Sequence, residues 1–158
     1  MTTLIATAMA AALAALVLAM PAGATEINFD GSVDNTCTIK GKKDGTLGLS
    51  GDGRTLSSEL GSAVAGEVDV FATGANRLIF SAPTLTQQPA GYSGSPTLEI
   101  KVGSGSYSSA EQEQPVAYPG TTLAVNARAS DDVPFLAGDY RVTTVVSCVP
   151  VTDGAPTS

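Results

Sequence analysis

The residues of this chain with the greatest chemical potential are two cysteines, Cys37 and Cys148. The chain contains no histidine, which excludes Ser-His-Asp catalysis, Cys-His catalysis and histidine metal sites. The two cysteines are far apart in sequence and form no Cys-x-x-Cys motif, so a redox-active pair is disfavoured. Two possibilities remain, a structural disulfide and a pair of free thiols.

Pairs of acidic residues are the second feature that could support chemistry, and both pairs fall in predicted loops. Asp131 and Asp132 are adjacent, so their side chains point apart, and no Asp-x-Asp-x-Gly pattern follows them. This favours a solvated turn over a calcium site. Glu111 and Glu113 lie in a Gly/Ser-rich stretch, whereas paired catalytic carboxylates need rigid placement. We therefore expect no catalytic residue, no metal, no cofactor and no enzymatic activity.

The charge balance bears on the class of partner. The chain carries 8 Lys and Arg against 15 Asp and Glu, for a net charge of -7. Nucleic-acid binding requires a basic surface that neutralises phosphates, so we expect no nucleic-acid partner. The short basic cluster Lys40-Lys42-Lys43 is interpreted as a solvated face.

The first 24 residues have the pattern of a secretory signal peptide. The stretch from Ala6 to Met20 is apolar and uncharged, and Pro21-Ala22-Gly23-Ala24 follows it with small residues that suit cleavage after Ala24. The alternative is a membrane anchor, but the run is shorter than the roughly 20 residues that span a bilayer. The predicted organisation is a signal peptide (1–24), one domain (25–149) and a disordered tail (150–158). Export would permit a disulfide.

The exported part has the pattern of an all-β protein. Gly, Pro, Ser, Asn and Asp recur every 8–12 residues between short alternating runs, as in sandwiches and barrels. Strands are predicted over residues 26–33, with the register continuing to residue 39, and over 46–50, 69–73, 77–81, 97–102, 121–129 and 138–149. The runs 69–73 and 77–81 are expected to form a hairpin. Residues 53–66 are assigned to a helical turn or loop, and residues 103–115 to a mobile loop.

The registers of the first and last strands favour the disulfide. Ile27, Phe29 and Val33 share one face of the first strand, and Cys37 continues the same odd register. In the last strand Cys148 shares a face with Tyr140, Val142 and Val146. Both sulfurs would thus face the core, and a Cys37–Cys148 bond would join the first strand to the last.

Two segments at the ends of the domain resemble a known family. The first is Ile27-x-Phe29-x-Gly31-x-Val33-x-Asn35-Thr36-Cys37, and the second is Ala137-Gly138-Asp139-Tyr140 followed by an alternating Val/Thr strand. Both are similar to segments of chaperone–usher fimbrial subunits, of the type 1 pilin-like and spore-coat-U-like kinds. The resemblance covers about 25 residues, as two short motifs in the correct order.

The resemblance implies a fold and an assembly mechanism. Fimbrial subunits are immunoglobulin-like, pilin-type β-sandwiches with Greek-key connections that lack their last strand, and a neighbour's N-terminal segment fills the gap. It implies a candidate donor or first strand with Ile27, Phe29, Gly31 and Val33. The candidate C-terminal assembly strand contains Gly138, Tyr140, Val142 and Val146. The implied partners are like subunits, a periplasmic chaperone and an outer-membrane usher, and the implied location is the periplasm and then the cell surface.

The chain departs from the family pattern in two ways, and these leave alternatives open. The second cysteine of the family usually follows the first closely, whereas Cys148 lies in the last predicted strand. Cleavage after Ala24 would leave only a short arm before Cys37, and this arm could be the first core strand of its own domain instead of a donor. The alternative function is a self-complete secreted β-sandwich that acts as an adhesin or glycan-binding module, with Tyr92, Tyr107 and Tyr118 as candidate ligand-binding aromatics. Tyr140 is interpreted as a buried, hydrogen-bonded aromatic rather than a binding residue.

Overall fold

A computed structural model describes residues 28–151. The expected signal peptide, Ile27 and residues 152–158 of the expected tail lie outside the described residues. The chain divides into two units, residues 1–32 and 33–158. In the first unit, the described residues 28–32 are exposed and contain no strand or helix.

The second unit is built from antiparallel strands, and its described part contains no helix. The strands are β1 (Cys37–Lys43), β2 (Gly48–Leu49), β3 (Thr55–Ser57), β4 (Gly66–Ala72), β5 (Asn76–Phe80), β6 (Thr84–Gln87), β7 (Thr97–Val102), β8 (Gln112–Val116), β9 (Gly120–Ser130), β10 (Arg141–Thr143) and β11 (Val146–Pro150). No helix in this part of the chain is long and apolar enough to span a membrane. The prediction of an all-β protein is confirmed.

The largest sheet has six strands in the order β1-β4-β9-β3-β2, with β7 also paired to β9. Its centre is β9, because this long strand pairs with β4 along its first half and with β3 and β7 along its second half. Two smaller sheets, β11-β5-β8 and β10-β6, complete the unit. Several antiparallel sheets around one core are consistent with a β-sandwich.

The core forms where alternating apolar side chains of the sheets meet. One buried cluster combines β4, β5, β7 and β8 through Val68, Val70, Ala72, Leu78, Phe80, Ile100, Val102 and Val116. The smaller cluster joins Leu56, Tyr92, Ala129 and Phe135. The predicted inward registers are confirmed in β7 by Ile100 and Val102, and in β9 by Leu123 and Val125, which pack against the first cluster.

A disulfide joins Cys37 in β1 to Cys148 in β11, with 5.8 Å between their Cα atoms. This confirms the predicted pairing, and both residues pack against the main core cluster. The bond closes a loop with a sequence separation of 111 residues. In the chain-entropy account, a loop of this length contributes about 4–5 kcal/mol to stability.

Several strand predictions were wrong. The first strand begins at Cys37, so Phe29 and Val33 form no core strand of their own domain; both are exposed. The last run is two strands in different sheets. The predicted hairpin is absent because β4 pairs with β1 and β9, whereas β5 pairs with β11 and β8. The predicted loops hold two further strands, β3 and β8, and Pro150, the first residue of the expected tail, belongs to β11.

Candidate functional site

A groove of about 760 Å³ opens between the six-stranded sheet and the segment that contains β10 and the start of β11. Its floor is apolar, because core side chains from several strands reach it. These are Leu47, Leu56, Val68, Phe80, Val125, Ala127, Val142 and Val146. Leu56, Val68 and Phe80 are themselves buried, and polar side chains share the lining. Because apolar core side chains and polar groups meet in one concave opening, the groove is the candidate binding site in the described part of the chain.

Unpaired strand edges flank this groove. Strand β1 is the end strand of its sheet, β11 is the end strand of another, and β10 pairs only with β6. Their second sides have no partner strand among the described residues. Unpaired backbone N–H and C=O groups are a template for an added strand. The site thus offers both an apolar floor and backbone hydrogen-bonding groups.

The six-stranded sheet forms one wall of the groove, and the segment from Gly138 to Val146 forms the second wall. This segment contains the predicted assembly residues. Gly138, Tyr140, Val142 and Val146 all line the groove. Gly138 has a φ of 143°, and a Cβ at this position would lie 2.6 Å from Pro89 Cγ. Only glycine fits this close approach, which accounts for the glycine of the Ala-Gly-x-Tyr motif.

Tyr140 has a structural role in addition to lining the groove. Its hydroxyl accepts a hydrogen bond from the Leu136 backbone N–H at 3.0 Å. Its ring packs edge-on against Tyr92 and Phe135, with centroids 5.4 and 5.1 Å apart. The expected hydrogen bond of Tyr140 is present, but its expected burial was wrong, because Tyr140 is half-buried and lines the groove.

Charged side chains surround the apolar floor. The basic members are Lys42, Lys43 and Arg141, and the acidic members are Asp44, Glu67 and Asp139. Lys43 pairs with Glu67 at 3.5 Å, and Lys42 pairs with Asp44 at the same distance. Both pairs are exposed and contribute little to stability. The rim therefore keeps the groove accessible to water and to an incoming chain.

The candidate donor residues are exposed. Phe29 is 94% exposed and Val33 is 85% exposed, the two highest values among large apolar residues of the described chain. A Cβ added at Gly31 would meet no heavy atom within 4 Å, so this position is open as well. Ile27 lies outside the described residues. Phe29 and Val33 are thus two exposed apolar side chains of one short segment that contains no strand or helix.

Polar bonds fix the chain directly after this exposed stretch. The Asn35 side-chain amide donates to the backbone carbonyls of Ala75 at 2.8 Å and Val151 at 3.2 Å. The Thr73 hydroxyl donates to the Asp34 carbonyl at 2.7 Å. Residues 34–36 are thus attached to the domain beside the disulfide, and the apolar arm precedes that attachment.

Asp131 is part of a turn that supports the aromatic cluster. Its carboxylate accepts hydrogen bonds from the Val133 backbone N–H at 3.0 Å and the Tyr92 hydroxyl at 2.7 Å. These bonds, the backbone bond first, lower the pKa of Asp131, while burial raises the pKa of Tyr92. No group of three potential metal-binding side chains occurs within residues 28–151. Asp131 therefore orders a turn, as a structural acceptor.

Sequence reasoning missed a charged network on β7 and β9. Arg128 donates two hydrogen bonds to Glu99, at 2.9 and 2.6 Å, and lies 4.2 Å from the centre of the Tyr107 ring. Glu59 accepts hydrogen bonds from Lys101 and Tyr107, and these lower its pKa. The charged residues Glu99 and Lys101 on the outward face of β7 were the sequence signal that could have indicated this network. The network connects two strands to a turn and keeps Glu59 ionised.

The tyrosines proposed for glycan binding are separated in the structure. Tyr92 is buried, and the face of Tyr107 is covered by Arg128. Tyr118 is 70% exposed but is not among the residues that line the groove. Stacking on a sugar needs an open aromatic face, which only Tyr118 offers among these three. Glu113 pairs with Arg77 at 3.1 Å on the surface, so the Glu111–Glu113 segment forms no paired-carboxylate site.

Comparisons with known proteins identify no relative. The chain matches no protein-family model, and it shows no significant similarity to a curated protein or to a solved structure. The groove, its unpaired edges and the exposed apolar arm are therefore the observations from which a function is inferred.

Proposed function

We propose that this protein is an exported structural subunit of a surface fimbria or pilus, which assembles by strand addition between copies. In this proposal the fold is an immunoglobulin-like, pilin-type sandwich with Greek-key connections. The arm around Phe29 and Val33 of one copy occupies the groove of the next. A chaperone and an usher would shield the groove before assembly, as the resemblance to fimbrial subunits implies.

The observation that carries the proposal is the presence of two complementary, uncovered surfaces on one chain. The groove has an apolar floor between unpaired strand edges. The arm exposes Phe29 and Val33, which would share one face if the arm were an extended strand. An added strand would satisfy both, because its backbone would bond to an edge while every second side chain enters the floor.

The energetic gain from this contact is substantial. Burial of a side chain as large as Phe29 or Val33 contributes ~1.5–3 kcal/mol relative to exposure. Backbone hydrogen bonds to a desolvated edge would add to this gain. Exposed edges also invite aggregation, so a chain that retains one needs a partner for it.

The assembly state of the exported chain tests the proposal. We expect the wild-type chain to form multimers, measured by light scattering after size exclusion and by electron microscopy. Phe29→Asp should prevent assembly, since it places a charge on the apolar floor. Ser32→Asp on the same arm is the matched control and should still assemble.

Folding and assembly can be separated in the same experiment. Phe29 is 94% exposed, so Phe29→Asp should leave the melting temperature unchanged. A strictly monomeric wild-type chain that is also unaffected by an added peptide of residues 25–34 would contradict the proposal. That result would favour the self-complete secreted sandwich that binds a ligand.

A further inference from the structure

The disulfide joins the two walls of the groove beyond one end of its lining. Its lining includes Lys42 and Lys43 at the end of β1, but neither Cys37 nor Ile39 at the start of this strand. On the second wall, the lining stops at Val146, two residues before Cys148. At the disulfide the two walls are 5.8 Å apart, measured between Cα atoms. No additional strand can pass between walls that close, because neighbouring strands need about 4.8 Å on each side.

The groove is open at its other end. Strand β1 runs away from the disulfide toward Lys43, and the segment from Gly138 to Val146 runs back toward it. This second wall runs from Gly138 to Val146 and includes the break at Thr144 and Val145, so it is shorter than a fully extended segment of the same length. The accessible length of the site is therefore limited by the disulfide, a position at which the fimbrial pattern has no such bond.

The arm is short. The alternating segment from Ile27 to Val33 has about seven residues, or ~23 Å when extended. Asp34 and Asn35 are hydrogen-bonded to their own domain, so an inserted arm that ends at Val33 would be followed directly by residues attached to that domain. Because a folded domain follows the arm and is too large to pass the closed end, the C-terminal end of the arm must lie at the open end of the groove.

We infer that the Cys37–Cys148 disulfide is the stop that sets the length, direction and register of the inserted strand. The inference rests on the proposed strand addition. The arm of a second copy enters with Ile27 toward the disulfide and runs antiparallel to β10 and β11. Thr25 and Glu26, the residues left before Ile27 by the predicted cleavage, then meet the stop. Successive copies lie close together, because the residues after Val33 are bonded to their own domain.

Peptide binding tests the stop. The host is the full exported chain with Phe29→Asp and Val33→Asp, two exposed positions whose replacement disables its own arm. The probes are a peptide of residues 25–34 and two versions extended by two tryptophans, one at each end. The N-terminal extension should weaken binding about tenfold, because it overpacks the closed end. The C-terminal extension should change the affinity by less than about twofold.

Removal of the disulfide provides the second measurement. In a folded host that also carries Cys37→Ser and Cys148→Ser, the penalty for the N-terminal extension should fall to about twofold or less. If this host does not fold, the two extended peptides on the disulfide-bonded host still decide the question. Equal affinities for both extended peptides would overturn the stop and leave strand addition intact. Failure of all three peptides to bind would overturn strand addition itself.

Discussion

At the scale of single residues, the groove depends on side chains whose roles follow only partly from local sequence. Alternation predicts that Val142 and Val146 face inward, and both line the groove. Tyr92 is a candidate ligand-binding aromatic by sequence, but it is buried beside Phe135 with its hydroxyl on Asp131. Nothing local distinguishes an exposed tyrosine from a buried one, since the partner is 39 residues away in sequence.

The bond between Tyr92 and Asp131 yields a prediction on pH. Because its pKa is lowered in the fold, Asp131 stabilises the protein above the ordinary carboxyl pKa of about 4. This contribution is lost as the pH falls through the lowered pKa. Tyr92→Phe should reduce the free energy of unfolding at pH 7 by about 1 kcal/mol, and the difference should shrink in acid. Urea unfolding at both pH values measures it.

Tyr118→Phe is the control for this prediction. Tyr118 is exposed and should give no difference at either pH. A Tyr92→Phe effect of the same size at neutral and acidic pH would show that Asp131 does not accept a charge-assisted bond from Tyr92.

At the scale of elements, alternation predicted the strands that lie on the core and failed where pairing is decided by distant partners. Strand β7 has the bounds predicted from its alternation, and β9 extends its prediction by one residue at each end. The last run was predicted as one strand, but it breaks at Thr144 and Val145, where both bond to Ser81. The bond from Thr144 spans 63 residues and has no local signature.

Two segments show how polar composition misled the strand predictions. Strand β8 consists of Gln112–Val116, and its backbone pairs with β5 while most of its polar side chains remain exposed or half-buried. The polar composition of this segment is typical of a turn or loop, so the sequence pattern did not indicate the strand. At the other end of the chain, Asn35 and Thr36 engage polar groups near Thr73, so the strand starts after them although the alternation begins earlier.

The position of β10 at the groove yields a prediction for this element. Val142→Lys places an ammonium group in the apolar floor and should abolish both assembly and binding of the 25–34 peptide. The matched control is Val145→Lys, because Val145 is 65% exposed and lies outside the groove lining. Assembly of the two variants is compared by light scattering, with circular dichroism to verify folding.

One result would contradict this prediction for Val142→Lys. If Val142→Lys folds and still assembles as well as Val145→Lys, the floor of the groove is not the site of contact between copies.

At the scale of the whole molecule, one chain carries both a groove and an exposed arm. In the proposed assembly, the arm of one copy occupies the groove of another copy. The disulfide, the all-β architecture and the core registers could be predicted from the sequence, because each follows from local alternation and from two cysteines. The groove could not, since residues from distant parts of the chain line it and only their arrangement in space brings them together. In the proposed assembly, the groove of a second copy would cover Phe29 and Val33.

The most direct test of strand addition is a cross-link between two distinguishable copies. One copy carries a photoreactive benzoyl-phenylalanine at position 29, and the other is labelled with a heavy nitrogen isotope. After mixing, assembly and illumination, mass spectrometry identifies the linked peptides. We predict links from position 29 to the heavy copy, within residues 138–146 or beside Val68. Links confined to the light copy itself, or to heavy residues outside the groove, would contradict strand addition between copies.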